Sequence, residues 1–442
     1  MRLGVITTSY PRFAEDPAGG FVRGLNLYLL RQGHQVEVIA AGEPPGPGRR
    51  DSAQPFPAAG GLDALGLDAL GLDSQGLDLH GLGPDSHGLD SHDLGLNAGG
   101  FDSGGLDSDG VEVLRLPCGL FYRGGAPDAL ARGGSAALLA AAGFQGRLLA
   151  ACAARVRRYD ALISHWLVPS GVAAALCAGG RPHVAIAHSS DVHLLRRLRL
   201  GGLGRWLSGR ARLVYTSASL QLPGAPGVVA PMGITVSEFT ATAEQRAAAR
   251  RELGLARPTV LALGRLVPVK GLDGLLAALA PLPAVDLLIA GDGPLRPVLE
   301  QQAAPLGARV RFLGEVRGAA RRRLLHGCDA LVLPSRVLPD GRTESAPVVL
   351  LEALAAGLPI VASAVGGAAE LLGDAGLLIP ADEPTALTAA LRQIVCAPGV
   401  AAACSARARA RAAQFDWEVI APRLLGQPLG CLAGLRQAPR AL

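Results

Sequence analysis

The stretch PSRVLPDGRTESAPVVLLEALAAGLPIVASAVGG, residues 334–367, decides how the rest of the chain is read. It follows an apolar run at 330–333 that suits a buried parallel strand, crosses a polar loop punctuated by Pro and Gly, and enters a helix. Ser345 suits the N-cap, Pro347 the first turn and Gly357 the position just past the helix end, with Pro359 following. A second buried strand is expected at 359–362. Two carboxylates stand out, Glu344 in the loop and Glu352 inside the helix, with seven residues between them. The unpaired N–H groups and positive dipole end of a helix N-terminus make a seat for a phosphate. Glu344 falls beside that seat. Glu352, further along, is placed to accept hydrogen bonds from the vicinal hydroxyls of a ribose. Spacing alone leaves open an ordinary amphipathic helix with two solvated glutamates.

With 442 residues the chain is too long for a single core, and two domains of about 200 residues are expected. Seven cysteines are scattered without CxxC or zinc-ligand spacing, and read as small buried apolar residues of a reducing compartment. A strand expected at 3–6 leaves no room for a secretory leader, and no apolar run approaches the roughly 20 residues that span a bilayer. A cytoplasmic protein, or one peripheral on the cytoplasmic face of a membrane, is expected. The formal net charge of +5 hides an asymmetry: residues 51–110 hold eleven Asp and no Arg, Lys or Glu, which leaves +16 on the remainder. That surplus suits anionic partners such as nucleotide diphosphates, lipid phosphates or an anionic membrane surface. No helix-turn-helix, zinc-finger or aromatic RNA-binding signature accompanies it, so nucleic acid is not an expected partner.

Residues 1–41 read as a strand–helix–strand unit, with a helix at about 20–32 and a loop that ends in Gly19-Gly20. Paired glycines ahead of a helix let backbone approach an anion, although a plain tight turn reads equally well. Residues 43–110 repeat Gly-Leu-Asp at Gly61, Gly66, Gly71 and Gly76, with Phe56 and Phe101 their sole aromatics. Such a segment buries too little to offset its ordering entropy, and reads as a disordered insertion. The nonapeptide pattern of calcium-binding β-helices is absent, and Asp107-Ser108-Asp109 reads as a product of composition. Further strands are expected at 111–114, 161–163, 184–187 and 213–216, and a helix within 129–157. His188 falls at the C-terminal end of one strand, where ligands of parallel sheets collect; a loop histidine satisfied by Asp191 is the alternative. Residues 196–212, with six arginines around Trp206, read as a membrane-surface helix or as a helix whose arginines face water.

The second half alternates apolar strands, at 259–263, 285–290, 310–313, 330–333, 359–362 and 377–379, with helical stretches, the pattern of a doubly wound parallel sheet. After the first of these comes Gly264-Arg265-Leu266-Val267-Pro268-Val269-Lys270-Gly271. Lys270 is the only lysine in the sequence. Its compact ammonium suits a diphosphate as a point charge, and Arg265 adds a forked contact.

Taken together, Glu344-x7-Glu352, GRxxxxKG at 264–271, FLGxV at 312–316, HxxxPxG at 165–171, GHxV at 33–36, HSSDV at 188–192 and FxWE at 415–418 resemble the retaining glycosyltransferases of family 4, the glycosyl transferases group 1. The resemblance covers nearly the whole chain outside the insertion and is strongest after Gly264. It implies an α/β GT-B fold: two Rossmann-like, doubly wound parallel-sheet domains facing a deep cleft. The divisions expected are 1–240 on the acceptor side, 241–425 binding the nucleotide sugar, a last helix from about 415 crossing back, and a tail at 426–442. A hexosyltransferase is implied, with a nucleoside diphosphate sugar donor, a glycan or lipid-linked acceptor, and neither cofactor nor metal. Arg265, Lys270 and the N–H groups near Ala346, Val348 and Val349 would meet the leaving diphosphate. Glu352 would hold the ribose, backbone around Val316 the base, and Gly20 the diphosphate and acceptor. Glu344 and His188 would face the reacting sugar. The family usually has Gly where this chain has Ser189 and Ser345, which bears on sugar identity. An epimerase on the same fold, or a nucleotide-sugar binding protein without turnover, would carry the same residues.

Overall fold

The computed structural model of the protein describes residues 1–13, 15–16, 18–43, 105–122 and 134–426. Two sheets organise them. The first contains β1 (Arg2–Ile6), β2 (Gln35–Gly42), β3 (Gly105–Leu106), β4 (Glu112–Pro117), β5 (Ala161–His165), β6 (His183–Ala187), β7 (Arg212–Tyr215) and β8 (Val228–Val229), in the order β3-β4-β2-β1-β5-β6-β7-β8. The second contains β9 (Thr259–Leu263), β10 (Asp286–Ala290), β11 (Val310–Gly314), β12 (Ala330–Leu333), β13 (Ile360–Ser363) and β14 (Leu377–Ile379), in the order β11-β10-β9-β12-β13-β14. Every pairing is parallel except β3 with β4.

The strands are apolar runs because helices cover both faces. β5, β6, β9, β12 and β13 are buried along their whole length. In each sheet the chain order reverses beside its first strand, at β1 between β2 and β5 and at β9 between β10 and β12. A crevice opens at such a reversal, outside the C-terminal strand ends. Both halves thus offer a crevice at the same end of their strands.

Three expectations change. Residues 44–104 of the expected 43–110 insertion lie outside the described residues, but its end is ordered: β3 pairs antiparallel with β4. Asp107 accepts the N–H groups of Asp109 and Val111, each at 2.9 Å, and the Tyr10 hydroxyl at 3.0 Å; Asp109 pairs with Arg23. Acidic composition read as solvation is here the closing of a turn and its attachment to the first helix, α1 (Gly20–Arg31). Second, the helix Gly134–Arg155, α2, and the turn after it give a helical stretch, Ala137–Arg158, that is long and apolar enough to cross a membrane, contrary to the sequence expectation. Its Phe144, Leu148, Ala151 and Cys152 pack into the first sheet, while Leu138 and Leu139 are exposed. Third, residues 196–212 are not one helix. α3 (Ser189–Arg197) and α4 (Gly201–Ser208) are separated at Arg199, whose φ is 54°, and β7 begins at Arg212. Gly204 and Leu207 are buried, so this segment turns one flank inward.

The chain ends by returning. The helix Trp417–Leu425 packs on α1, and Trp417 is 1% exposed. Its indole fills the space a side chain would take at Gly24, where a Cβ would lie 2.7 Å from Nε1, and at Gly233, where it would lie 2.5 Å from the ring. Beside it Ile234 and Phe415–Trp417 exchange backbone bonds of 2.9 and 3.2 Å, and Asp416 accepts from Val236 and Glu418. We expect Trp417→Ala to cost about 3–5 kcal/mol and to convert one calorimetric transition into two. A single transition at the parent's temperature would show that this joint does not couple the halves.

Candidate active site

The second crevice is built by three loops that follow β9, β12 and β13. Lys270 ends a short turn, Pro268–Lys270, which is tied to the end of β12 by the Arg336 N–H bonded to the Val269 carbonyl at 2.9 Å. This brings Lys270 onto Glu344, and the two form an ion pair. The other Glu344 oxygen accepts the Ser335 hydroxyl at 2.6 Å. Gly366 and Gly367, after β13, press against the same loop. A Cβ at Gly366 would lie 1.6 Å from the Glu344 carbonyl oxygen, and one at Gly367 1.8 Å from that of Ser345. Only glycine lets the backbones approach so closely. Ser345 is buried in this clamp. Arg265, one turn before Lys270, is exposed and has no partner among the described residues.

The helix that follows, Val348–Ala356, starts later than its sequence signals indicate. Pro347 is its N-cap, and Ser345 is not. Proline disfavours helical backbone in the residue before it, so Ala346 stays outside and the helix begins at Val348. The N–H groups of Val348 and Val349 have no carbonyl a turn behind them, while that of Leu350 bonds to Pro347 at 3.0 Å. Glu352, one turn on, is 8% exposed and is paired with Arg321, whose Nε and Nη2 lie 2.8 and 2.6 Å from Oε2. Arg321 belongs to the helix Gly318–Gly327, which leaves the turn that holds Val316. Neither Arg321 nor Ser335 was singled out in the sequence: a partner across two elements leaves no spacing signal.

The first crevice is lined by aromatic rings. Gly19, with φ 70°, sits so near Ser9 that a Cβ would meet its carbonyl oxygen at 2.4 Å, whereas nothing lies within 4 Å of a Cβ at Gly20. Gly19 is therefore the glycine the turn requires, and Gly20 is open at the helix start. Phe21 follows, with ring centroids 4.9 Å from His188. Trp166 stands 4.7 Å from the same imidazole and has a φ of 67°, a strained value for a residue with a side chain. His165 Nδ1 and His188 Nε2 are 3.2 Å apart. Burial pushes His188 down to about 3 and His165 well below the usual histidine range, so both rings are neutral and share one hydrogen bond. Asp191 does not satisfy the His188 imidazole. Its carboxylate accepts the backbone N–H groups of Leu167, His188 and Val192, fixing both strand ends; burial pushes it up to about 7 against the pull of these donors.

The two crevices face one another. Ser217, just past β7, lies 3.2 Å from where a Gly367 Cβ would be, and the Ala218 N–H reaches Glu370 at 3.4 Å. On the other flank Arg317 stacks on Phe13 at 4.8 Å, and the Glu15 carboxylate lies against Gly318. One side of the cleft therefore offers cations, helix N–H groups and two paired carboxylates. The other offers aromatic faces and neutral imidazoles. That division suits an anionic ligand part beside a hydroxyl-rich ring.

Comparison with known proteins accords with this geometry. The model of the family described as Glycosyl transferases group 1 matches residues 257–396. The chain is 34% identical over 204 residues to the GDP-mannose-dependent monoacylated alpha-(1-6)-phosphatidylinositol monomannoside mannosyltransferase of Corynebacterium glutamicum, across 44% of this chain and 54% of that one. It is 34% identical over 270 residues to the phosphatidyl-myo-inositol mannosyltransferase of Mycolicibacterium smegmatis, across 58% and 67%. The chain thus spans from about half to two thirds of the curated relatives it matches. Sucrose-phosphate synthase from Thermosynechococcus elongatus superposes over 98% of both chains with a TM-score of 0.68 at 20% identity. Anabaena Alr3699/HepE, in complex with UDP and glucose, does so over 98% of this chain and 100% of that one, with a TM-score of 0.61 at 18% identity. The chain carries the GT-B fold and belongs to the glycosyl transferases group 1.

Proposed function

We propose that the protein transfers a sugar, with retention of configuration, from a nucleoside diphosphate sugar to a glycan or lipid-linked acceptor. The observation that carries this is the ion pair of Lys270 with Glu344 at the mouth of the second crevice, beside the open N-terminus of the helix Val348–Ala356. As the bond from the anomeric carbon to the phosphate oxygen breaks, the sugar becomes cationic and the diphosphate gains charge. Lys270, Arg265 and the N–H groups of Ala346, Val348 and Val349 meet that charge from fixed positions, and no metal is called for in this reading. Glu344, held by Lys270 and Ser335, sets a carboxylate beside the sugar. Glu352 accepts from the ribose, and backbone at Val316 meets the base. His188, being neutral, offers a hydrogen bond to sugar or acceptor rather than a charge. The acceptor hydroxyl gives its proton to the departing phosphate while its oxygen bonds the anomeric carbon from the same face. Relatives named for phosphatidylinositol mannosides support a lipid-linked acceptor and a place in glycolipid or polysaccharide biosynthesis. The exposed Leu198 and Leu200 among the arginines of 196–210 fit a station on the cytoplasmic membrane face.

Two measurements test this reading. In donor titrations, Lys270→Ala should weaken binding about 10- to 100-fold, as expected for loss of a charge-assisted contact, and Lys270→Arg should restore only part of it. Glu344→Ala should lower turnover more than affinity. Lys270→Ala binding a nucleotide sugar as tightly as the parent, with an unchanged melting temperature, would overturn the site. For the acceptor side, the protein should sediment with anionic but not neutral vesicles at low salt and be released as salt rises. Equal recovery with both kinds of vesicle would remove the membrane from the proposal.

A further inference from the structure

We infer that Arg321 determines specificity at the ribose, reading the sugar's two hydroxyls jointly with Glu352; this rests on the donor-site reading above. Residues 321–323 are three consecutive arginines on one helix, and successive side chains diverge by about 100° around it. Arg323 turns to Glu252, with Nε 2.7 Å from a carboxylate oxygen. Arg321 turns to the helix that carries Glu352, and both its close contacts, 2.8 and 2.6 Å, fall on the same oxygen, Oε2.

That detail changes what the carboxylate can do. Arg321 holds Oε2 with an Nε–H hydrogen bond, and Nη2 of the same guanidinium crowds that oxygen at 2.6 Å. A bare carboxylate accepts a vicinal diol with one hydroxyl on each oxygen. In this protein Oε1 is the oxygen left to accept the first hydroxyl. With the guanidinium crowding Oε2, the second hydroxyl meets a guanidinium N–H and acts as its acceptor. The pair therefore asks for one donating and one accepting hydroxyl on adjacent carbons. A ribose lacking either would leave Oε1 or a guanidinium N–H unmet beside a carboxylate that is 8% exposed. Unmet groups of this kind are what make a polar site reject an analogue. The fork matters as well as the charge: a lysine ammonium at 321 cannot meet Oε2 from two nitrogens and still present further N–H groups in the same plane.

The test is calorimetric titration of the full chain with UDP, GDP and ADP, followed by the 2′-deoxy and 3′-deoxy forms of whichever binds. The parent, Arg321→Leu and Arg321→Lys are compared, and melting temperatures are recorded. The parent should favour the ribonucleotide over at least one deoxy form by about 10- to 100-fold. In Arg321→Leu that ratio should fall to within about threefold, with Arg321→Lys between the two. Arg321→Lys carries the test if the leucine variant does not fold. A purely structural role would weaken ribo and deoxy forms equally and leave the ratio unchanged, which overturns the inference, as does a parent that binds both forms alike. A parent that binds none of the three nucleoside diphosphates fails earlier, and overturns the donor reading itself.

Discussion

The Glu344 carboxylate is the point on which the second half of the molecule converges. It is reached by Lys270 from the loop after β9 and by Ser335 from the loop after β12, while the two glycines after β13 lie against its own backbone. Three strand ends are thereby fixed on one acidic group. A carboxylate so held needs a compensating cation, because an uncompensated charge in a poorly solvated crevice is costly. The single lysine of the chain supplies it. The same ammonium is the cation that the proposed function assigns to the donor diphosphate.

The two faces of the cleft have opposite electrostatic character. Facing the second sheet are Arg265, Lys270 and Arg321, with Glu344 and Glu352 held as partners. Facing the first are Phe21, Trp166 and two neutral imidazoles, with the Asp191 carboxylate beside them spent on backbone N–H groups. Charged side chains and neutral rings are therefore on separate walls. The joint between them is apolar: Trp417 lies in a gap left by Gly24 and Gly233, and the largest buried cluster runs from Leu3 and Val5 through to Leu350 and Leu354. At the rim the two halves also meet through the Ala218 N–H to Glu370 and through Arg317 over the Phe13 ring.

The sequence by itself determined the architecture. Strands buried on both faces must be apolar throughout, and the alternation of such runs with helices admits few arrangements, so the second sheet was legible almost residue by residue, from 259–263 to 377–379. Motifs confined to one turn were legible too: Glu344 and Glu352 on either side of a helix start, Lys270 at the end of a strand-to-helix loop, and His188 after β6. Composition misled where chemistry depends on a distant partner. Asp107 and Asp109 looked like part of a solvated repeat until Tyr10 and Arg23 were found against them, and Ser345 looked like a cap until Pro347 moved the helix start. Only the tertiary structure decided that Glu352 is gripped by Arg321, that Asp191 serves backbone N–H groups rather than the His188 imidazole, and that Gly19, not Gly20, is required by the turn. The reason is physical. Periodicity and spacing record what a residue meets within its own element, whereas an ion pair between helices or a carbonyl 1.6 Å from a missing side chain is set by chain segments that local sequence does not bring together.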